Sequence, residues 1–263
     1  MRQLVDQMGR TVAVPDTPNK IISLVPSQTE LLYDLGLAEH IIGQTVFCIY
    51  PQEHFKSATK VGGTKKLNIQ AIRDLQPDLI IGNKEENEHS QIQELEKEFP
   101  VWMSDIYNLN DALEMIRQIG IVVCKQDNAE AVVQKIEAGF NKIKSIQTKS
   151  LKVLYFIWRK PYMVAGRNTF IHDMLQYCGL ENAIHEIDSR YPEVSAYVIK
   201  SLNPDIVFLS SEPYPFKEKH IVELAQLCPL AKIRIVDGEM FTWYGSRLVN
   251  SPEYFHNMIN SLL

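Results

Sequence analysis

Along this chain, short uninterrupted apolar runs alternate with stretches in which apolar residues recur every three or four positions. The runs "LII" (79–81) and "IVFL" (206–209) contain no polar residue. That is the pattern of a strand buried on both faces, as in a parallel sheet. Each run follows Pro-Asp, and each Pro-Asp closes a helix-like stretch, in "AIRDLQPDLIIG" (71–82) and "VIKSLNPDIVFL" (198–209). Proline disfavours helical backbone at the residue before it, so both helices should end ahead of Pro77 and Pro204.

The echo widens around these segments. "KIISLVPSQTELLYDLGL" (20–37) predicts a strand, a loop, a helix from about Ser27 and a stop at Gly36. "KVLYFIWRKPYMVAGRNTFIHDMLQYCGL" (152–180) predicts the same order with a longer loop and a stop at Gly179. Ser27-Gln28-Thr29-Glu30 has capping-box spacing, with Ser27 as N-cap. "FPVWMSD" (99–105) and "KIRIVD" (232–237) add one more strand to each half. The expected class is α/β, with two Rossmann-like lobes over residues 1–126 and 151–263, each around a central sheet. A single sheet with chance similarity is the alternative. Between the lobes, in 127–150, Val132 or Val133, Ile136, Phe140 and Ile143 recur at helical spacing without a proline. This predicts one long backbone helix, about 27 Å for about 18 residues at 1.5 Å each. Two lobes on a stiff connector leave a cleft between them, a usual place for a ligand.

Composition narrows the function. Forty-five per cent of the 263 residues are hydrophobic and the net charge is −5, which argues against a general nucleic-acid binder. No apolar run approaches about 18 residues, so no membrane insertion is expected. The first twenty residues lack the apolar region of a signal peptide, which predicts a cytoplasmic chain, or a periplasmic one if the start is processed or truncated. Cys48, Cys124, Cys178 and Cys228 are scattered without CxxC spacing, against a structural zinc site or redox motif. A reducing compartment follows, with two disulfides as the alternative.

On "KIISLVPSQTELLYDLGL", "VGGTKKLNIQAIRDLQPDLII", a linking helix and a second Pro-Asp strand, the chain resembles the class III substrate-binding proteins of ABC importers for vitamin B12, iron-siderophores and haem. "NKEEN" (83–87) and "FTWYGSRL" (241–248) resemble members of that family that begin without a signal peptide. The resemblance implies a monomer that holds a metal-bearing small molecule: a corrinoid first, an iron-siderophore second. Haem-binding relatives carry Tyr or His where Gly63 stands, which places haem lower. The resemblance also implies an importer permease as partner, met through one acidic residue per lobe. Glu86 or Glu88 falls near the first position. At the second stands Tyr197, with Glu193 nearby, so the permease partner is in doubt.

Ligand-facing loops should lie at the carboxyl ends of the strands. They hold Cys48, Tyr50, Lys65, Lys84, Glu85, Glu86, Trp158, Arg159, Tyr162, Phe241, Trp243, Tyr244 and Arg247, the candidate ligand-binding set. Phe47 and Tyr214 lie in the same loops. Flat rings offer much contact area with few rotatable bonds, which suits a macrocycle. Phe47 and Phe241 read equally well as core residues, while Trp158 and Trp243 read as ligand contacts. The basic residues could meet propionates, phosphate or catecholates; Glu85 and Glu86 pair with them or face outward. Cys48 and Tyr50 are both types that can bind iron or cobalt, but Tyr50 departs from the His of some relatives, and no metal ligand is assigned. The sequence has no GxSxG, GxxxxGK[ST] or HExxH, so no catalytic residue and no resident cofactor is assigned. The alternatives are an enzyme using Cys48, Glu85 and Glu86, or a cytoplasmic carrier or sensor, on the same fold.

Overall fold

The computed structural model describes residues 1–143, 151–184, 187 and 189–262. The tail of the expected connector, 144–150, and His185, expected to be structural or solvated, lie outside the described residues. The chain forms two compact units. The first comprises Met1–Ile106, Asn110–Lys135 and Tyr244–Arg247; the second comprises Tyr107–Leu109, Ile136–Trp243 and Leu248–Leu263.

The first unit opens with an antiparallel hairpin, β1 (Arg2–Val5) and β2 (Thr11–Val14). Its main sheet is built from β3 (Ile21–Ser23), β4 (Ile41–Gln44), β5 (Thr59–Lys60), β8 (Leu79–Asn83) and β9 (Val101–Ser104). All pairings are parallel, in the order β5-β4-β3-β8-β9. A small hairpin, β6 (Gly62–Gly63) and β7 (Lys66–Leu67), interrupts the crossover to α2 (Ile69–Leu75). Helices α1 (Pro26–Asp34) and α3 (His89–Leu95) complete the crossovers, and α4 (Leu109–Val122) follows β9. Strand order reverses direction at β3, so the loops after β3 and β8 flank the topological switch point, where open α/β sheets take ligands.

The second unit has β10 (Leu151–Trp158) parallel to β13 (Ile206–Ser210), which is parallel to β14 (Lys232–Val236). The other edge of β10 carries β12 (Leu180–Asn182) and then β11 (Met163–Val164). Side chains alternate across β10 and β13. Leu154, Phe156, Val207 and Leu209 enter one core with Val164, Ile199, Phe216 and Leu224. Tyr155 and Phe208 enter the opposite one, an aromatic layer with Phe241 and Phe255. Its helices are α6 (Phe170–Tyr177), α7 (Ala196–Leu202), α8 (Glu218–Ala225), α9 (Glu239–Thr242) and α10 (Ser251–Asn260).

The linking helix α5 runs Gln126–Ile143, with Val133, rather than Val132, on the buried stripe with Ile136, Phe140 and Ile143. The grouping into units divides within α5, between Lys135 and Ile136.

The repeated Pro-Asp has a shared physical cause. Both preceding helices end on a left-handed residue, Gln76 (φ 48°) and Asn203 (φ 42°), which turns the chain toward the proline. The aspartate then clamps the neighbouring strand. Asp78 accepts from the Asn19 and Lys20 amides at 2.9 Å, and Asp205 accepts from the Lys152 amide at 2.8 Å. In each unit the Pro-Asp therefore fixes the register of the first parallel pairing. Gly36 and Gly179 stop α1 and α6 at positive φ, as the spacing predicts.

One expectation is corrected. Ser27 is not the N-cap of α1. Val25 occupies that position without a side-chain cap, and Pro26 takes N1, where its missing N–H costs nothing. Glu30 is thus free of any capping role and bonds elsewhere.

Candidate functional site

In the first unit, the loop after β4 is turned inside out by a cysteine. Cys48 Sγ lies 3.0 Å from Thr29 Oγ1 and 3.1 Å from Thr45 Oγ1. Thr29 Oγ1 also bonds Ser23 Oγ at 2.6 Å, and Gln44 Nε2 donates to the Cys48 carbonyl at 3.3 Å. With Cys48 drawn in, its neighbours are forced out: Val46 is 43% exposed, Phe47 57% and Ile49 42%. Three apolar side chains at one strand end form a surface that water solvates poorly. Burial pushes the Cys48 thiol above its ordinary range, which disfavours the thiolate that a nucleophile needs. Phe47, equally consistent with core in the sequence, belongs to the surface. The Phe47 ring packs against Gly63, 3.1 Å from where a Cβ would stand.

Two residues on, the Tyr50 ring lies 4.3 Å from the Arg247 guanidinium, within cation–π range. Arg247 also grips Glu30 through Nε to Oε2 at 2.9 Å and Nη2 to Oε1 at 2.6 Å. This fork is the geometry in which arginine recognises carboxylates best. Tyr244, in the same returning segment, is buried.

The loop after β8 is held by asparagines. Asn83 Oδ1 accepts from the Glu85 and Glu86 amides, and its Nδ2 donates to Ser104 Oγ at 2.9 Å. Asn87 accepts from the Asn83 amide and donates to the Thr64 carbonyl. Gln28 joins through Ser104 Oγ at 2.6 Å. Buried and interlinked, these amides set a rigid turn. Lys84 pairs with Asp105 at 2.6 Å, and Lys65 donates to the Glu85 carbonyl. Glu85 and Glu86 are half-buried.

In the second unit, Trp158 ends β10 and is 41% exposed, with Tyr214 edge-on at 5.6 Å between ring centroids. Next to it, Arg159 forks onto Glu223 through Nη2 at 2.7 Å and Nε at 3.1 Å. Tyr162 donates its hydroxyl to the same carboxylate. Its phenol is pushed up to about 12, by burial first and then by that bond. The bonds from Arg159 hold the Glu223 carboxyl below its usual range. His220, read as structural or solvated, is structural: buried, its Nδ1 accepts from the Lys217 amide at 2.8 Å.

Phe241, Trp243, Tyr244 and Cys48, all in the candidate ligand-binding set, are buried. Phe241 is fully buried in the aromatic layer between Tyr155, Phe208 and Phe255. Trp243 is buried, and its Nε1 donates to Glu212 Oε1 at 3.1 Å. Cys48 points into its hydroxyl cage. The structure brings together Tyr50 and Arg247 in one unit, and Trp158, Arg159 and Tyr162 in the other. Sequence reasoning missed Glu30, Glu212 and Glu223, the carboxylates that hold these groups, because each partner is 31 or more positions away. All four cysteines are free, so the disulfide alternative falls. Among the described residues no three His, Cys, Asp or Glu side chains gather in a metal-holding group, and no helix is long and apolar enough to cross a membrane.

Comparison with known proteins gives this architecture its context. The family model described as "Periplasmic binding protein" matches residues 21–226. A vitamin B12-binding protein of Pectobacterium carotovorum is 22% identical over 93% of this chain and 90% of its own length. An uncharacterized ABC transporter substrate-binding lipoprotein of Bacillus subtilis is 26% identical over 94% of this chain and 82% of its own. Among solved structures, the periplasmic heme-binding protein RhuT from Roseiflexus superposes with a TM-score of 0.79 at 20% identity, covering 92% of this chain and 99% of that one. The cytoplasmic placement expected from the first twenty residues finds no support in these descriptions. The chain belongs to the periplasmic binding protein family.

Proposed function

We propose that this protein is the binding component of an ABC importer, that it acts as a monomer outside the cytoplasmic membrane, and that its ligand is a corrinoid. The observation that carries the reading is the exposed apolar set Val46, Phe47 and Ile49 at the carboxyl end of β4. Exposed Trp158, backed by Tyr214, supports it from the second unit. A corrinoid is a large rigid macrocycle with apolar faces, and such surfaces gain most from desolvation against rings and branched aliphatics. The Pectobacterium relative is described as binding vitamin B12. Gly63 leaves no side chain beside Phe47 to reach a haem iron. Capture without turnover fits the enclosed Cys48 and the family.

Calorimetric titration with cyanocobalamin, cobinamide, haemin and a ferric siderophore tests the ligand. Cobalamin should bind best, and its absorbance spectrum should return unchanged on release. Failure of every corrinoid to bind more tightly than about 100 μM, roughly −5.5 kcal/mol, rejects the reading. Fractionation of native cells and ligand-dependent stimulation of an importer ATPase test the location and the partner.

A further inference from the structure

Each of the four cations in the candidate set already has an acceptor within its own unit. Lys84 is paired with Asp105, Arg247 with Glu30, and Arg159 with Glu223, while Lys65 donates to a backbone carbonyl. Arg159 is firmly committed. Its fork on Glu223 uses two nitrogens, and Tyr162 holds the second carboxylate oxygen of the same residue. Trp158, the exposed ring of this unit, is its sequence neighbour. A ligand carboxylate reaching Arg159 would have to displace Glu223 from two charge-assisted bonds, and would meet a like charge beside the cation it sought. An amide carries no such charge and is not penalised.

We infer that Glu223 is a specificity-determining residue, which withholds Arg159 from ligand carboxylates so that the protein selects a macrocycle bearing amides over one bearing acids. This rests on the corrinoid reading and sharpens it to amide-bearing corrinoids, with carboxylate-bearing corrinoids and haem disfavoured. Selection here comes from repulsion of the wrong ligand as much as from attraction of the right one.

The test compares cobinamide, cobyrinic acid and haemin as probes, by calorimetry, on the whole protein. Wild type should prefer cobinamide to cobyrinic acid. Glu223→Gln keeps an acceptor for Tyr162 and removes the charge. It should bind cobyrinic acid and haemin at least tenfold more tightly than wild type, and that gain should exceed any change toward cobinamide by at least threefold. Glu223→Ala gives a second measurement if the glutamine variant does not fold, as judged by thermal melting. The double variant Arg159→Gln/Glu223→Gln should lose the gain, since the freed cation is gone. If a folded Glu223 variant gains nothing toward either carboxylate probe, or gains equally for cobinamide, the assignment is overturned. Preference of the wild type for cobyrinic acid also overturns it. If wild type binds no corrinoid, the corrinoid reading fails separately, and the haemin arm still decides the role of Glu223.

Discussion

The Phe47 ring edge lies 3.1 Å from the point where a Cβ on Gly63 would stand. The ring is the exposed end of a flexible side chain, so it can yield, but only by leaving its place on the exposed apolar surface of this loop. Gly63→Ala should therefore alter stability by less than about 1 kcal/mol while weakening cobalamin binding. Phe47→Ala should weaken it by about 1–3 kcal/mol, the range of an aromatic contact, with the melting temperature nearly unchanged. Calorimetry and thermal melting decide this; normal binding by both variants would remove the loop after β4 from the site.

The two tryptophans should part company. Trp158→Ala removes a ring that is 41% exposed, and should change stability by about 0.5 kcal/mol or less while lowering ligand affinity by about 1–3 kcal/mol. Trp243→Ala empties a buried site and leaves Glu212 short of a donor; it should destabilise by about 3–5 kcal/mol, as should Phe241→Ala. Urea unfolding curves give the comparison. Equal destabilisation by Trp158→Ala would show that its ring is structural.

Thiol chemistry should single out one residue. Cys124 is exposed, whereas Cys48, Cys178 and Cys228 are buried, and burial pushes all three thiols up. Native protein treated with Ellman's reagent should show one fast thiol, lost in Cys124→Ser, with the others reacting only on unfolding. A second fast thiol that disappears in Cys48→Ser would contradict its enclosure by Thr29 and Thr45.

Stability should fall on mild acidification through His220. Burial holds its imidazole below the ordinary value, and the nearby Arg159 and Lys219 act the same way. A proton on Nδ1 would also break the bond accepted from the Lys217 amide. The unfolded chain therefore binds a proton that the folded chain resists. This stability is fully present above about pH 6.5, the unfolded pKa, and is lost as pH falls through the lower folded value. His172, also depressed by burial, adds in the same sense. Denaturant titrations from pH 7.5 to 5 should show declining stability, with a shallower decline in His220→Asn. An unchanged slope in that variant would remove His220 from the account.

Much of the candidate site was not legible because its determinants are pairings across long separations. Arg159 and Arg247 were visible as basic residues in loops, and free cations suggest anionic ligands. Their carboxylate partners lie 64 and 217 positions away, and no local pattern shows that these cations are already paired. Phe241 and Trp243 sit beside Arg247 in "FTWYGSRL", yet they are buried while Arg247 is half-buried. Local context assigns neither.

What the sequence determined by itself was the α/β plan, because that plan is written in local physics. Uninterrupted apolar runs, Pro-Asp turns and the helical stripe of Val132 or Val133, Ile136, Phe140 and Ile143 each depend on neighbours a few residues away. Even the Pro-Asp repeat was readable as punctuation, though not as the clamp that Asp78 and Asp205 make on Lys20 and Lys152. The tertiary structure alone decided which side chains reach the surface. Cys48 turns in because Thr29 and Thr45 stand ready to receive it, and that inward turn thrusts Phe47 and Ile49 out. A side chain's exposure depends on what distant segments pack against it, and no local pattern in the chain encodes that choice.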